Sequence, residues 1–212
     1  MKLVKLNEKP LIFTLEGLLS DKEINHIFEL SKDKLKRSQT GEPDKSVISD
    51  YRTSDSCFIV TKDDKIADII KKKISILLNI HISWFDNWFQ VVHYNKDKEY
   101  KTHTDPILSI NKSNNMYHRR YTCLFYLNDV EEGGETVFPK LGLMNKPKRG
   151  KMLFFENYRK DGDKLEVHPF SEHSALPVIK GEKWAFTQWI HSPIDCDLDY
   201  NVLGNFNGNI EI

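Results

Sequence analysis

The chain has 212 residues, and its 31 lysines and arginines balance its 31 aspartates and glutamates. This length suits one domain with a sizeable core. The zero formal charge excludes a global electrostatic attraction to nucleic acid but leaves a local basic patch open. The chain begins without an apolar run of signal-peptide length and contains no stretch that could span a bilayer, so we expect a cytoplasmic protein whose three cysteines are reduced.

The first part of the chain predicts a strand followed by a helix. Residues 10–19 form a short apolar run that is typical of an edge strand. Ser20 and Glu23 then have the spacing of a capping box, in which each satisfies a backbone donor of the other at a helix start. Apolar residues follow at helical spacing, so we predict an amphipathic helix over about 20–35.

A second strand and a second helix are predicted next. Residues 39–50 are polar and contain glycine and proline, which predicts a loop, and 52–60 turn into a strand. A helix start signal at 61–64 precedes isoleucines and leucines that mark one helical face. Within this helix, Lys71–Lys73 is a charge run that we interpret as a solvated face.

From about residue 82 the chain changes to short runs rich in aromatic and β-branched residues, separated by turn signals. We predict strands at 88–94, 100–105, 119–128, 135–138, 151–156, 164–168, 173–179 and 183–191. Helices followed by many short strands are typical of an α+β domain built on a β-sandwich or barrel. The last residues, 193–212, are rich in asparagine and aspartate and predict a loosely packed tail.

Two potential metal ligands stand close together in the stretch 89–105. Its first part alternates like a half-buried strand, and its last part places His103 and Asp105 two residues apart. Residues i and i+2 of a strand point to the same face. An imidazole and a carboxylate on one face would supply two of the three protein ligands of a metal site.

The third ligand is sought among the other histidines. We favour His173, which opens a strand, a glycine turn and a second strand, over His168, which precedes a proline in a predicted loop. The remaining histidines have no acidic or imidazole neighbour at ligand spacing and are interpreted as surface or packed residues: His26, His81, His93, His118 and His191. Two histidines and a carboxylate are typical of non-haem Fe(II) oxygenases, but catalytic zinc uses the same set, so ligand identity alone leaves the metal open.

The sequence around Lys183 favours iron over zinc at the predicted site. It begins a strand whose other residues are aromatic or small, and a lysine is costly to bury there without an anionic partner. The adjacent acid, Glu182, points to the opposite face by alternation. An anionic ligand such as a dicarboxylate would serve as partner. Alternatively, the Lys183 side chain extends along the sheet and places its ammonium in water at the edge.

Five blocks of sequence carry a resemblance to a known family. They are Gln90, Tyr94, Tyr100, His103 and Asp105; Arg119, Thr122 and the Tyr-Leu-Asn of 126–128; the Glu-Gly-Gly-Glu-Thr of 132–136 with Phe138 and Pro139; His173, Pro177, Val178, Gly181, Lys183, Trp184 and the Trp-Ile-His of 189–191; and, upstream, the Arg-Thr-Ser of 52–54. On these motifs the chain resembles the 2-oxoglutarate- and Fe(II)-dependent prolyl 4-hydroxylases over about 85–191, and weakly upstream.

The resemblance implies a fold and a domain organisation. The fold would be α+β, with a double-stranded β-helix (a jelly-roll, cupin-like core) and N-terminal helices packed on its major sheet. The chain would form a single oxygenase domain over 1–212. Residues 1–85 would support it, 86–192 would form the catalytic core, and 193–212 would be a tail.

The resemblance also implies roles for individual residues. Iron would be held by His103, Asp105 and His173. The distal carboxylate of 2-oxoglutarate would pair with Lys183, with hydroxyls from Tyr94 and Thr136 and a further contact from Tyr126. The peptide substrate would contact Tyr100, Arg119 and Trp189. For each aromatic residue, the alternative is core packing.

The implied activity is hydroxylation of peptidyl proline at C4 by O2, coupled to conversion of 2-oxoglutarate to succinate and carbon dioxide, with Fe(II) as cofactor and ascorbate as reductant. We expect a monomer that acts on a proline-containing peptide or protein, without nucleic acid or a membrane as partner. The alternatives are the same chemistry on a lysyl or nucleic-acid substrate, and a non-catalytic β-sandwich binding module.

The chain departs from the family pattern at two places. Asp97 stands where a glycine is usual between the two tyrosines, and Asp tolerates a left-handed conformation better than most residues. Ala175 and Leu176 stand where the family often has Gly-Cys before Pro-Val. Neither position is a predicted ligand, so we expect effects on the substrate groove rather than on the chemistry.

Overall fold

The computed structural model describes residues 1–41, 46–106, 109–110, 116–117, 119–161, 164–191 and 198. These ranges contain two helices, α1 (Asp21–Ser31) and α2 (Lys65–Leu78). Their strands are β1 (Lys2–Asn7), β2 (Ile12–Glu16), β3 (Lys36–Arg37), β4 (Asp55–Val60), β5 (Trp88–Tyr94), β6 (Tyr100–His103), β7 (Ser109–Ile110), β8 (Met116–Tyr117), β9 (Arg119–Tyr126), β10 (Glu132–Gly133), β11 (Thr136–Phe138), β12 (Leu143–Asn145), β13 (Met152–Glu156), β14 (Tyr158–Asp161), β15 (Lys164–Val167), β16 (His173–Ala175), β17 (Val178–Lys180) and β18 (Lys183–His191). None of the described helices has the length and apolar character needed to cross a membrane.

Two antiparallel sheets form the body of the fold. The major sheet has eight strands in the order β1-β2-β13-β9-β18-β5-β4-β3, and the minor sheet has four in the order β12-β11-β16-β6. Three short two-stranded ribbons, β10-β17, β14-β15 and β7-β8, accompany them. Strands that are distant in the sequence alternate across both sheets, which gives the predicted double-stranded β-helix.

The major sheet has a separate hydrophobic core on each face, because successive side chains of a strand point in opposite directions. On one face, Phe186 belongs to the buried cluster that includes Ile27 of α1 and Ile70 of α2. On the other face, its neighbour Ala185 belongs to a second cluster with Phe138 of the minor sheet. The helices therefore cover the outer face of the major sheet, as predicted, and the second core lies between the two sheets.

Both helices begin at the residues that the start signals indicated. The Glu23 N–H donates to Ser20 Oγ at 3.3 Å, and the Ser20 N–H donates to Glu23 Oε2 at 2.8 Å, so the capping box is confirmed. The Asp64 carboxylate accepts from two backbone N–H groups in the first turn of α2. Helix α1 ends at Ser31, a turn earlier than the pattern predicts.

The prediction of an edge strand over 10–19 is wrong. The strand in this run, β2, lies inside the major sheet, because β1 pairs along its outer side and β13 along its inner side. Strand β1 was not predicted, since its two lysines and its apolar residues, which stay exposed or half-exposed at the edge, give little hydrophobic signal. An edge strand pairs with a neighbouring strand on one side only, so fewer of its positions need to be apolar.

The interpretation of the lysine run in α2 as a solvated face is also wrong for two of its members. Lys73 has 18% of its side chain exposed and forms an ion pair with helix α1 at 2.7 Å. Lys71 is buried, and its Nζ donates to Asn87 Oδ1 at 3.1 Å. Lys72 is solvated as expected and pairs with Asp68 one turn earlier. Three consecutive residues of a helix point in three directions, so one of them faces the sheet.

Several expectations concern residues outside the described ranges: part of the loop over 39–50, His118, Cys196 and, apart from Leu198, the tail over 193–212. The other two cysteines, Cys57 and Cys123, are buried free thiols, as expected.

Candidate active site

Three side chains that are distant in the sequence converge between the two sheets. His103 ends β6 and His173 begins β16, and the two residues stand opposite each other in the antiparallel pair. Asp105 follows β6, and its Oδ1 lies 3.7 Å from His103 Nε2 and 3.8 Å from His173 Nε2. One ligand atom of each residue lies within 4.8 Å of the others. His168, the alternative third ligand, is not part of this cluster.

Hydrogen bonds on the far side of each imidazole fix its orientation. His103 Nδ1 donates to the Lys101 carbonyl oxygen at 2.8 Å, and His173 Nδ1 donates to that of Ser171 at 3.0 Å. A carbonyl oxygen only accepts, so the hydrogen must lie on Nδ1, and in a neutral imidazole the lone pair is then on Nε2. This is the tautomer in which a histidine binds a metal through Nε2.

The carboxylate of Asp105 is held from behind. Its Oδ2 accepts from Thr122 Oγ1 at 2.6 Å and from Trp189 Nε1 at 3.0 Å, which leaves Oδ1 facing the imidazoles. Burial opposes its charge, but His173, His103 and these hydrogen bonds outweigh burial and lower the pKa of Asp105 to about 2. Burial has the largest effect on His103 and the nearby His173 the next largest, and together they lower the pKa of His103 to about 3. An ionised carboxylate beside a neutral imidazole therefore fits the donor set of a non-haem Fe(II) site.

Lys183 lies at the start of β18 with only 2% of its surface exposed. Its Nζ donates to the Gly134 carbonyl oxygen at 2.7 Å and lies 5.3 Å from the ring centre of Tyr94 and 5.6 Å from that of Tyr126. Burial lowers the pKa of this amine to about 7, against the opposing field of Glu135. Within the described ranges the amine has no ion pair, so an ammonium here has donors left for an anionic ligand.

A chain of hydrogen bonds ends at Thr136, beside this lysine. Asn145 Nδ2 donates to the Tyr126 hydroxyl at 2.8 Å, which in turn donates to Thr136 Oγ1 at 2.8 Å. The hydrogen of the Thr136 hydroxyl is thus left for a group in the cavity. Thr136 and Tyr94 line the cavity, whereas Tyr126 is not among its described lining residues and stands behind Thr136.

A cavity of about 1010 Å³ extends from these groups to the surface, and all three residues that were predicted to contact a peptide line it. The Tyr100 ring stacks on His103 with the centroids 3.5 Å apart. The Arg119 guanidinium lies 3.6 Å above the ring centre of Trp189. Trp189 also donates to Asp105, so its indole connects the wall of the cavity with a predicted metal ligand.

A turn with two glycines brings Thr136 and the Gly134 carbonyl to the cavity. Gly133 has φ +78°, and a Cβ at this position would lie 2.4 Å from the Pro177 carbonyl oxygen. Gly134 has φ +69°, and a Cβ there would lie 3.4 Å from Lys183 Cδ. Only glycine adopts this backbone at low cost in such close contact.

Three further residues support the site but were not singled out as site residues in the sequence. Arg52 is buried, with its guanidinium 4.8 Å above the Tyr100 ring, and Thr122 binds Asp105. Both stand in the motifs that carry the family resemblance, which was the available signal. Asn145 has no such signal, because its contact depends on the pairing of β12 with β11.

Comparison with known proteins gives the class that this fold and site define. Residues 89–191 match the family model described as the 2OG-Fe(II) oxygenase superfamily. Prolyl 4-hydroxylase 2 of Arabidopsis thaliana is 35% identical, with coverage of 90% of this chain and 70% of the relative. Prolyl 4-hydroxylase subunit alpha-1 of Rattus norvegicus is 30% identical, with coverage of 87% and 35%. The chain belongs to the prolyl 4-hydroxylase family of 2OG-Fe(II) oxygenases.

Solved structures agree with this assignment. The viral collagen prolyl hydroxylase of Paramecium Bursaria Chlorella virus-1, in its 2OG complex, matches with a TM-score of 0.66 and 29% identity over 85% of this chain and 96% of that one. A prolyl hydroxylase of Trichoplax adhaerens, in complex with a hypoxia inducible factor peptide, matches with a TM-score of 0.59 and 14% identity, which supports the fold alone. The predicted jelly-roll core is thus confirmed.

Proposed function

We propose that this protein hydroxylates peptidyl proline at C4, with iron held by His103, Asp105 and His173. As a 2OG-Fe(II) oxygenase it uses Fe(II), 2-oxoglutarate and O2. The observation that carries the proposal is the placement, in one cavity, of three convergent ligand atoms and the buried amine of Lys183. A structural metal site would not need the unpaired lysine beside it.

Iron(II) in such a site supplies the activation of O2. The balanced reaction converts peptidyl proline, 2-oxoglutarate and O2 into peptidyl 4-hydroxyproline, succinate and carbon dioxide. The side chains contribute binding and geometry. Lys183 and the Thr136 hydroxyl bind the distal carboxylate of 2-oxoglutarate, and Tyr94 closes that end of the cavity.

The peptide lies along the wall formed by Tyr100, Arg119 and Trp189. The Tyr100 ring stacks on His103, and the Trp189 indole donates to Asp105, so a proline ring held between Tyr100 and Trp189 lies next to the proposed metal ligands. These aromatic surfaces suit the apolar ring of proline and exclude water from the reacting carbon. The Arg119 guanidinium has donors for peptide carbonyl oxygens.

The test compares two buried histidines of the same segment. We expect His173→Ala to lose Fe(II)-dependent conversion of 2-oxoglutarate to succinate and hydroxylation of a proline-rich peptide, and His168→Ala to keep both. Succinate is measured directly, hydroxylation by the mass gain of one oxygen atom, and folding of each variant by circular dichroism. Succinate formation at the wild-type rate by folded His173→Ala would overturn the ligand assignment.

Three further parts of the proposal concern the setting of the enzyme. We propose that it acts as a monomer, because a single chain brings together the three proposed iron ligands and Lys183. A reducing, cytoplasmic compartment would suit the buried free thiols of Cys57 and Cys123. Ascorbate is proposed as the reductant that restores Fe(II), and omission of ascorbate should shorten the linear phase of turnover.

A further inference from the structure

The cavity does not end at the peptide wall but continues along the major sheet to its outer strand. Three cationic residues line this extension, Lys34, Lys36 and Arg37, and we refer to them as the outer arm. Among all described lining residues, the only acidic side chain is Asp105, which is a proposed metal ligand. A chain with no net charge thus concentrates cations in one groove.

The register of the sheet shows that Lys36 of the outer arm faces the same way as the site. Lys36 pairs with Ser56, Ser56 with Val92, and Val92 with Ala185. Paired residues of neighbouring strands lie on the same face, so the Lys36 side chain starts on the face that lines the cavity. Three strand spacings separate Lys36 from Ala185, which is about 14 Å.

The cations of the outer arm are not neutralised in the described structure. Lys34 and Lys36 are exposed and form no ion pair with any described residue. Arg37 donates to the carbonyl oxygens of Ser54 and Ser49, at 3.0 and 3.2 Å, which holds its guanidinium in place, and it forms no ion pair with a described residue. Fixed cations beside a groove attract anionic groups of a ligand that lies in it.

We propose that the outer arm binds acidic side chains of the substrate, so that the enzyme prefers proline-containing peptides with aspartate or glutamate several residues from the target proline. The inference rests on the proposed function, which places that proline beside the metal ligands. A peptide in the polyproline II conformation advances about 3.1 Å per residue, so the roughly 14 Å between Lys36 and Ala185 on the cavity wall corresponds to four or five residues and sets the scale. The preferred acids lie at about that separation.

The experiment measures peptide binding to the holoenzyme separately from catalysis. Fluorescein-labelled peptides carry one central proline and, about five residues to either side, acidic, alanine or lysine residues. Dissociation constants are measured by fluorescence anisotropy with Fe(II) and 2-oxoglutarate under nitrogen. The variant Lys34→Glu/Lys36→Glu is compared with Lys22→Glu/Lys62→Glu, which makes the same change of charge at exposed lysines outside the cavity.

We expect an acid-flanked peptide to bind about fivefold more tightly than the alanine-flanked one, the scale of two exposed ion pairs. The difference should vanish at high salt and reverse in Lys34→Glu/Lys36→Glu, which should prefer lysine-flanked peptides. The control variant should keep the wild-type order. Equal affinities for acidic and alanine peptides in the wild type would overturn the inference, as would the same acidic preference in both variants.

Two further arms separate related outcomes. Displacement of the acidic peptide by an equally charged thymidine oligonucleotide at lower concentration would assign the outer arm to nucleic acid and overturn the proposal for peptides. Hydroxylation of the alanine-flanked peptide is followed by mass spectrometry in air. If this peptide is hydroxylated and the acid-flanked and alanine-flanked peptides bind with equal affinity, the inference fails and the proposed function stands. If no peptide gains oxygen, the proposed function fails, and the measured affinities still show whether the outer arm binds acidic peptides.

Discussion

At the scale of single residues, Lys183 is the clearest case of a side chain whose surroundings suit a ligand better than they suit the side chain itself. Its amine has one neutral hydrogen-bond acceptor, the Gly134 carbonyl oxygen, and two aromatic rings around it. Burying a charge in such a place is costly without a partner, and a bound carboxylate provides that partner. Binding of 2-oxoglutarate should therefore depend strongly on this residue.

Replacing Lys183 by alanine should raise the dissociation constant for 2-oxoglutarate by at least about 30-fold, since removal of one partner of a buried charge pair costs roughly 2–5 kcal/mol. Metal affinity should stay near the wild-type value, because the ligand residues are untouched. Isothermal calorimetry measures both. Lys180→Ala, which removes an exposed lysine paired with Glu131, is the control; an unchanged 2-oxoglutarate affinity in Lys183→Ala would refute the role.

The lowered pKa of Lys183, about 7, predicts a pH dependence of 2-oxoglutarate binding. Below this pH the amine is protonated and ready for a carboxylate. Above it the amine is mostly neutral, so binding of the dianion requires uptake of a proton, and the dissociation constant should rise about tenfold per pH unit. Calorimetry from pH 6 to 9 measures this slope, and Lys183→Arg, which stays charged, should bind with a flat profile; a flat wild-type profile would contradict the prediction.

Much of the site could be predicted residue by residue, but not all of it. His103 and Asp105 are close in the sequence, so the geometry of one strand brings them together. His173 could be preferred to His168 only from its local context, because its position opposite His103 depends on how two distant strands pair. The support from Asn145 depends on another such pairing and had no local signal.

At the scale of elements, the turn with Gly133 and Gly134 connects local backbone geometry to the cavity. Gly133→Ala should lower the free energy of unfolding by about 2–5 kcal/mol, the sum of left-handed strain and overlap with the neighbouring backbone. Gly142→Ala is the matched control, since its φ is +61° and nothing lies within 4 Å of the added Cβ. That variant should lose only about 1 kcal/mol. Urea denaturation measures both, and equal losses would contradict the role of close contact.

Elements with strong local signals were predicted well. The capping box fixed the start of α1, and the runs rich in aromatic and β-branched residues matched most strands of the two sheets, although the run 173–179 contains two strands, β16 and β17, of different sheets. Asp97, which replaces the usual glycine, adopts the left-handed conformation with φ 64°, which Asp tolerates better than most residues. Its N–H donates to the Val178 carbonyl oxygen at 2.8 Å. Strand β1 escaped prediction because its position at the edge, rather than its sequence, makes it a strand.

At the scale of the whole molecule, metal binding should stabilise the fold, because the proposed ligands His103, Asp105 and His173 are separated by a long stretch of chain. Fe(II) at about 100 times its dissociation constant adds roughly 2.7 kcal/mol, which for a chain of this size raises Tm by about 5–10 °C. Differential scanning fluorimetry under nitrogen measures the shift, and a chelator should reverse it. His103→Ala should show no shift, whereas Lys183→Ala should keep the metal shift and lose the added effect of 2-oxoglutarate.

The overall architecture was accessible through the resemblance rather than through periodicity. Helices followed by short strands indicated a sandwich or barrel, but the strand order joins β2 to β13 and β5 to β18, which no local pattern encodes. Long-range pairing of this kind is set by the fit of side chains between sheets and helices. The motifs carried that information because they are tied to one known arrangement.

The two outermost strands of the major sheet have a consequence for solubility. Strand β1 carries Lys2 and Lys5, and β3 carries Lys36 and Arg37. An exposed strand border is a template for self-association, and like charges on both borders oppose the stacking of one copy beside another. Lys36 would then have two roles, because it would bind acidic substrates and would also oppose aggregation. Replacing Lys36 and Arg37 by neutral residues should therefore make concentrated solutions of the enzyme more prone to form β-rich aggregates.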